Sequence, residues 1–166
     1  MSLLFYQIGI KILSTSLKTI AFLGHEKAKK SVLGKKYWLK DLSKFNSQKK
    51  TIWIHAASHG EAIMAIPLMK EILAHENTQI IMSFFSPSGY ENFTYQEKNF
   101  TKIYLPFDSK KNSKKIIKFI NPKILIFVKY DLWLNLISEC NKKNIPTLVF
   151  SSKFRVNQWY FKFFGK

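Results

Sequence analysis

Apolar and polar positions come in a repeating rhythm from residue 51 onward. Thr51–Ala57 predicts a strand and Glu61–His75 a helix; Thr78–Phe85, rich in Ile and Phe, predicts a second strand. Ser86-Pro87-Ser88-Gly89 predicts a turn, Tyr90–Glu97 a short helix, Lys102–Leu105 a short strand and Ser109–Ile120 a helix. Lys123–Val128 is the most apolar run of strand length, followed by a helix over Leu132–Lys143 and a strand over Pro146–Phe150. The strand candidates are continuous apolar runs, as in strands covered on both faces. Strands alternating with helices predict an α/β fold, a parallel sheet flanked by helices and joined by crossover connections.

The first 50 residues follow a different pattern. In 3–23, Gln7, Lys11, Ser14 and Lys18 recur at spacings of four, three and four, a polar stripe on a helix. Leu3, Tyr6, Ile10, Leu13, Leu17 and Ile20 form the opposite face, so the segment predicts an amphipathic helix. No uninterrupted apolar run reaches the roughly 18–20 residues of a spanning helix. A signal peptide is not expected either, because no charged region precedes the apolar part. Two settings stay open, a helix lying in a membrane interface and a helix packed on the protein. The basic segment that follows (Lys27, Lys29, Lys30, Lys35, Lys36, Lys40) would sit beside anionic headgroups and favours the membrane. Residues 43–50 read as a polar linker, and those after Ser151 are basic and aromatic, with Lys153, Phe154, Arg155 and Trp159. The expected organisation is 1–42 as a membrane-interface helix with its basic segment, 51–152 as the α/β domain, and 153–166 as the start of a further segment.

A length of 166 residues with 46% hydrophobic content is enough for one cored domain. The formal net charge is +17, and 26 of the 27 basic residues are Lys, with Arg155 the exception. That bias argues against sequence-specific DNA reading, where Arg forks onto guanine are the commonest contact. It suits an anionic membrane surface. Cys140 is alone, so no disulfide framework forms within the chain.

The candidate chemistry collects at strand ends. Ile52–Ala57 stops at Ser58-His59-Gly60, and Glu61 follows in the first turn of a helix. The helix dipole favours its anion by roughly 0.3–1 kcal/mol, and Gly60 lets a substrate approach the backbone. Glu61 is therefore a candidate general base; the alternative is a capping acid. The Ser86, Ser88 and Gly89 turn offers hydroxyls and N–H groups to a phosphate or sugar, or serves as an ordinary N-cap. Asp108 ends another strand, and Lys129-Tyr130-Asp131 ends the most apolar one. Lys129 is either a fixed cation facing the cleft or a surface lysine. In a parallel sheet all of these share one edge. The histidines His25, His55, His59 and His75 show no metal-ligand spacing, so neither metal nor cofactor is expected.

In order along the chain, Trp53-Ile54-His55-Ala56-Ala57-Ser58-His59-Gly60-Glu61, Pro67-Leu68, Ser86-Pro87-Ser88-Gly89-Tyr90-Glu91, Tyr104-Leu105-Pro106-Phe107-Asp108, Asp131-Leu132-Trp133 with Asn135-Leu136, and Asn144-Ile145-Pro146 resemble the N-terminal half of 3-deoxy-D-manno-octulosonic acid (Kdo) transferases. The resemblance covers nearly the whole chain. It implies a Rossmann-like domain, the acceptor-binding half of a GT-B glycosyltransferase of lipopolysaccharide assembly, which transfers Kdo from CMP-Kdo to a lipid A precursor (lipid IVA). Glu61 matches the family's proton acceptor, and Ser58, Gly60, Ser86, Ser88, Gly89, Asp108 and Arg155 are the expected substrate contacts. The implied location is peripheral, on the cytoplasmic face of the bacterial inner membrane, against an anionic surface and with no specific nucleic-acid partner. Where many members carry an acid two residues before Asp131, this chain has Lys129, as in Bacteroidetes-type members; both residues are candidates for transition-state stabilisation. The family's C-terminal nucleotide-sugar domain is expected to be absent from these 166 residues. A rival expectation is a non-catalytic remnant that binds membrane surfaces or acidic polymers.

Overall fold

The computed structural model describes residues 3–153, apart from the side chain of Lys44. In chain order the elements are α1 (Leu3–Phe22), α2 (Glu26–Tyr37), a 3-10 segment (Trp38–Lys44), β1 (Lys50–Ala56), α3 (His59–Leu73), β2 (Thr78–Phe84), α4 (Pro87–Asn92), β3 (Phe100–Tyr104), α5 (Lys110–Ile120), β4 (Ile124–Val128), α6 (Leu134–Lys142) and β5 (Thr147–Phe150). The five strands form one sheet in the order β3-β2-β1-β4-β5, and every pairing is parallel. This is the Rossmann-like α/β architecture that the rhythm of apolar runs predicts.

Side chains of a strand alternate between faces, and here both faces are buried. Trp53, Ile81, Leu125 and Phe127 join Ile116, Ile117 and Ile120 of α5 and Leu136 and Cys140 of α6 in one core. Ile54, Ile80, Met82 and Ile126 meet Ala62, Ala65 and Met69 of α3 in the other. Helix α5 shows the local logic well. Ser109 Oγ accepts the Asn112 N–H as N-cap, the isoleucines point inward, and Asn121 ends the helix at φ 44°.

Three sequence expectations change. The helix expected at Tyr90–Glu97 lies at Pro87–Asn92, because Ser86 caps it and Pro87 has a ring already set for the first turn. The basic segment after α1 is helical, with Ala28, Ser31 and Lys35 on its buried face. The polar linker is also partly anchored: Phe45 packs against the Phe119 ring at 5.9 Å, and Gln79 Oε1 accepts the Asn46 N–H at 3.2 Å.

Helix α1 has two apolar faces rather than one. Ile10 belongs to the same core as Trp53, with Tyr6 and Leu13 packed beside it, so the middle of the expected apolar stripe meets the protein while Leu3 and Ile20 at its ends stay exposed. A second stripe points away from it, with Leu4 65%, Phe5 68%, Ile12 61% and Phe22 90% exposed. Among the described residues no helix is long and apolar enough to cross a membrane.

Candidate functional site

The order in which strands are added to the sheet reverses at β1. Strands β2 and β3 lie to one side of it, β4 and β5 to the other. Ligands of open α/β sheets bind outside the carboxyl ends of the strands at such a switch point. The turn after β1 carries Ser58–Glu61, and the turn after the adjoining β4 carries Lys129–Asp131.

Glu61 stands third in α3, after the N-cap Ser58. Its Oε2 accepts the Ala57 N–H at 2.6 Å, one residue before the N-cap whose N–H a third-position acid takes in a capping box. Ser58 makes no side-chain cap bond in return. The carboxylate is thus tied to the sheet rim by one oxygen and half-buried. The acid thus caps the start of the helix, as one of the two sequence readings expects, and it does so at the strand tips.

The second serine turn abuts the first. Ser86 N–H donates to Ala57 O at 3.2 Å, and a Cβ placed on Gly89 would lie 3.3 Å from the Ser58 carbonyl carbon and 2.6 Å from the Phe84 ring. Gly89 is therefore a close-packing residue. Gly60 is the opposite, exposed and with nothing within 4 Å of an added Cβ. Ser86 Oγ accepts the Gly89 N–H at 3.2 Å and lies 3.1 Å from Ser88 Oγ.

Beneath these turns runs a chain of buried hydrogen bonds. Trp53 Nε1 donates to Ser83 Oγ at 2.8 Å. The Ser83 hydroxyl proton is then available to His55 Nδ1, 2.9 Å away. A neutral ring accepting at Nδ1 carries its proton on Nε2, 2.9 Å from Asp131 Oδ2. Trp133 Nε1 lies 3.0 Å from His55 Nε2 and 3.1 Å from Asp131 Oδ2. A protonated Nε2 cannot accept, so Trp133 donates to the carboxylate. Asp131 keeps 31% side-chain exposure while His55 has none. The sequence offers a faint signal for this hub: His55 lies two residues from Trp53 on one strand face.

Asp108 departs from expectation. It is 3% exposed, and its carboxylate accepts from Tyr6 Oη at 2.5 Å, Ser113 Oγ at 2.6 Å and the N–H groups of Asn135 and Leu136 at 2.9 Å each. With four donors around it, this carboxylate caps α6 and pins α1; the geometry gives it a structural duty in place of a sugar contact. Burial and the adjacent Asp108 push the Tyr6 phenol up. Lys129 has left-handed backbone at φ 63°, and its N–H donates to Phe150 O at 2.9 Å. Arg155 lies outside the described residues. Cys140 is buried, and burial pushes its thiol up to about 12, which removes it as a nucleophile.

Lys35, expected from the sequence among the lysines beside anionic headgroups, is buried instead. It is 4% exposed, with Nζ donating to Ser31 Oγ at 2.7 Å and to the Phe85 carbonyl, 4.2 Å from the Phe85 ring centre. Burial pushes its amine down to about 7, and the Asp131 charge offsets only part of this. The spacing Ala28-Ser31-Lys35 was the available signal.

Residues 32–164 match the family described as 3-deoxy-D-manno-octulosonic-acid transferase (kdotransferase). A bifunctional glycosyltransferase/methyltransferase of Fusobacterium nucleatum is 38% identical over 105 residues, 61% of this chain and 16% of that protein. The 3-deoxy-D-manno-octulosonic acid transferase of Haemophilus influenzae is 34% identical over 105 residues, 61% of this chain and 24% of its own length. That of Chlamydophila psittaci is 28% identical over 108 residues, 63% and 25%. The matched region thus spans a quarter or less of these relatives. Among solved structures, a UDP-N-acetylglucosamine 2-epimerase aligns with TM-score 0.48 and 15% identity, over 69% of this chain and 36% of its own. With the family match running over most of the described fold, including β1, the Glu61 turn and the Asp131–Trp133 turn, the chain belongs to the Kdo transferase family, in its N-terminal domain.

Proposed function

We propose that this chain is the acceptor-binding half of a glycosyltransferase that moves Kdo from CMP-Kdo to a lipid A precursor, lipid IVA, with Glu61 as general base. What supports this is the Glu61 carboxylate itself, half-buried in the first turn of α3 at the switch point, beside open space over Gly60. In this reading Glu61 takes the proton of an acceptor sugar hydroxyl. That oxygen forms a bond to the anomeric carbon of Kdo as the bond from this carbon to the CMP phosphate oxygen breaks, and CMP leaves with the electron pair. Ser58, Ser86 and Ser88 contact the acceptor, and Asp131, held by His55 and Trp133, faces the developing positive charge on the sugar ring. The interval 51–152 serves as the acceptor domain, and a second domain completing the GT-B pair holds CMP-Kdo.

The outward stripe of α1 fits peripheral attachment to the cytoplasmic face of the inner membrane, where the acceptor's acyl chains lie. An exposed apolar face flanked by lysines is the composition of an interfacial helix. A non-catalytic membrane-binding module shares that face but needs no carboxylate at residue 61. The deciding experiment is transfer from CMP-Kdo to lipid IVA by the complete protein carrying Glu61→Gln. We expect a fall of about 10²–10⁴-fold, the usual worth of a general base, with an unchanged circular dichroism spectrum. Undiminished turnover in a folded variant refutes the assignment.

A further inference from the structure

Two adjoining clefts run between α1, α2 and the start of α5. One, of about 390 Å³, is lined by Lys18, Lys35, Lys36 and Lys115 together with Asn112. The other, of about 550 Å³, shares Lys18 and Asn112 and adds Lys11 and Ser109. Neither has an Asp or Glu in its wall. Among the described residues the one lysine–carboxylate pair within 4 Å is Lys142–Glu139, outside the cleft, so no carboxylate touches a cleft lysine, and the Asp131 charge acts on Lys35 only from farther away. Ammonium groups gathered around one concave space repel each other and cost stability. Lys18, Lys36 and Lys115 are exposed and reach the space from three helices, while Lys35 closes its floor. In its protonated form the floor amine has one N–H beyond those given to Ser31 and the Phe85 carbonyl.

We propose that this cleft is a binding site for a phosphate-bearing ligand, held by Lys18, Lys36 and Lys115 at its mouth and by Lys35 at its floor. A phosphate oxyanion supplies the missing countercharge and accepts several charge-assisted hydrogen bonds at once. The volume is that of a small-molecule site rather than of a surface dimple. Successive helical residues turn by about 100°, which puts Lys11 and Lys18 of α1 between its docked stripe and its outward apolar stripe. A phosphate carried by a lipid and a free phosphate therefore both have access. The assignment stands on the cleft alone and holds whether or not Glu61 takes a proton.

The test uses the 166-residue chain, labelled with ¹⁵N and titrated with inorganic pyrophosphate at constant ionic strength. We expect saturable shifts centred on residues 31–37 and 109–115. The double variant Lys18→Ala/Lys115→Ala, at exposed positions that leave the fold intact, weakens binding about tenfold or more. Lys70→Ala, an exposed lysine outside the cleft, has no effect. In a second arm, vesicles containing phosphatidic acid are compared with vesicles of equal charge containing phosphatidylglycerol. Loss of a phosphatidic acid preference in the double variant assigns the site to a lipid-borne phosphate; pyrophosphate binding without such a preference assigns it to a free one. Shifts that do not saturate in either arm, or an equal loss in Lys70→Ala, overturn the proposal.

Discussion

His55 Nε2 lies 2.9 Å from Asp131 Oδ2, bridging the central strand to the turn after its neighbour, across the line where the order of strand addition reverses. The bond holds an exposed acid in place from inside the core. With the Ser83 hydroxyl donating to Nδ1, a directional chain runs from Trp53 through Ser83 and His55 to Asp131, with the ring proton on Nε2. Long-range ¹H–¹⁵N correlation spectra of the chain are expected to show that tautomer at His55; protonation of Nδ1 instead would reverse the chain and rule out this order of donors. His55→Leu leaves the Ser83 hydroxyl and one side of Asp131 unpaired. It is expected to cost about 2–4 kcal/mol in urea unfolding.

Asp108 holds α6 and α1 together through four donors. Asp108→Ala removes the acceptor of all four, and although Ser113 Oγ can turn to the Ser109 carbonyl at 2.9 Å, the buried N–H groups of Asn135 and Leu136 are stranded, at an expected cost of about 3–5 kcal/mol. Tyr6→Phe removes one donor and is expected to cost about 1 kcal/mol. Urea midpoints measure both, and an unperturbed Asp108→Ala midpoint contradicts the structural duty assigned to this residue.

Lys35 gives a pH signature. Its native value of about 7 lies below its unfolded value of 10.5. Below the lower figure both states are protonated and the buried charge destabilises the fold. Between the two figures the unfolded state binds more protons, so stability rises with pH. On the order of 2–3 kcal/mol is expected between about pH 7 and pH 9.5. In Lys35→Met that rise disappears, whatever the variant's absolute stability. Parallel curves for the two proteins would show that Lys35 carries its charge without penalty.

The outward stripe of α1 is expected to grip lipid without supporting the fold. Phe5→Ser/Ile12→Ser changes side chains that are 68% and 61% exposed, so the unfolding midpoint should hold. Each apolar side chain of this size is worth roughly 1.5–3 kcal/mol on full burial. Vesicle flotation should therefore fall by at least about tenfold. Full flotation by the variant would detach α1 from the membrane reading.

Much of the fold was legible because its signals are local. The strands Thr78–Phe84 and Ile124–Val128 are short segments rich in Ile and other apolar residues, and α5 announces itself through Ser109 and the spacing of Ile116, Ile117 and Ile120. The carboxyl-edge placement of Glu61 followed as soon as strands and helices alternated. Less visible were α2, whose buried face consists of Ala28, Ser31 and Lys35 rather than a hydrophobic stripe, and the second apolar face of α1.

The sequence by itself determined the five strands and most of the helices, and that Glu61 follows the central strand at its tip, because hydrophobic periodicity and capping are written within a few residues of where they act. Only the tertiary structure decided what the polar side chains do. Asp108 meets Tyr6 across 102 positions, His55 meets Asp131 across 76, and Lys35 meets the Phe85 carbonyl across 50. A buried charge or hydrogen bond takes its meaning from whichever groups surround it after folding, and no linear pattern carries that information.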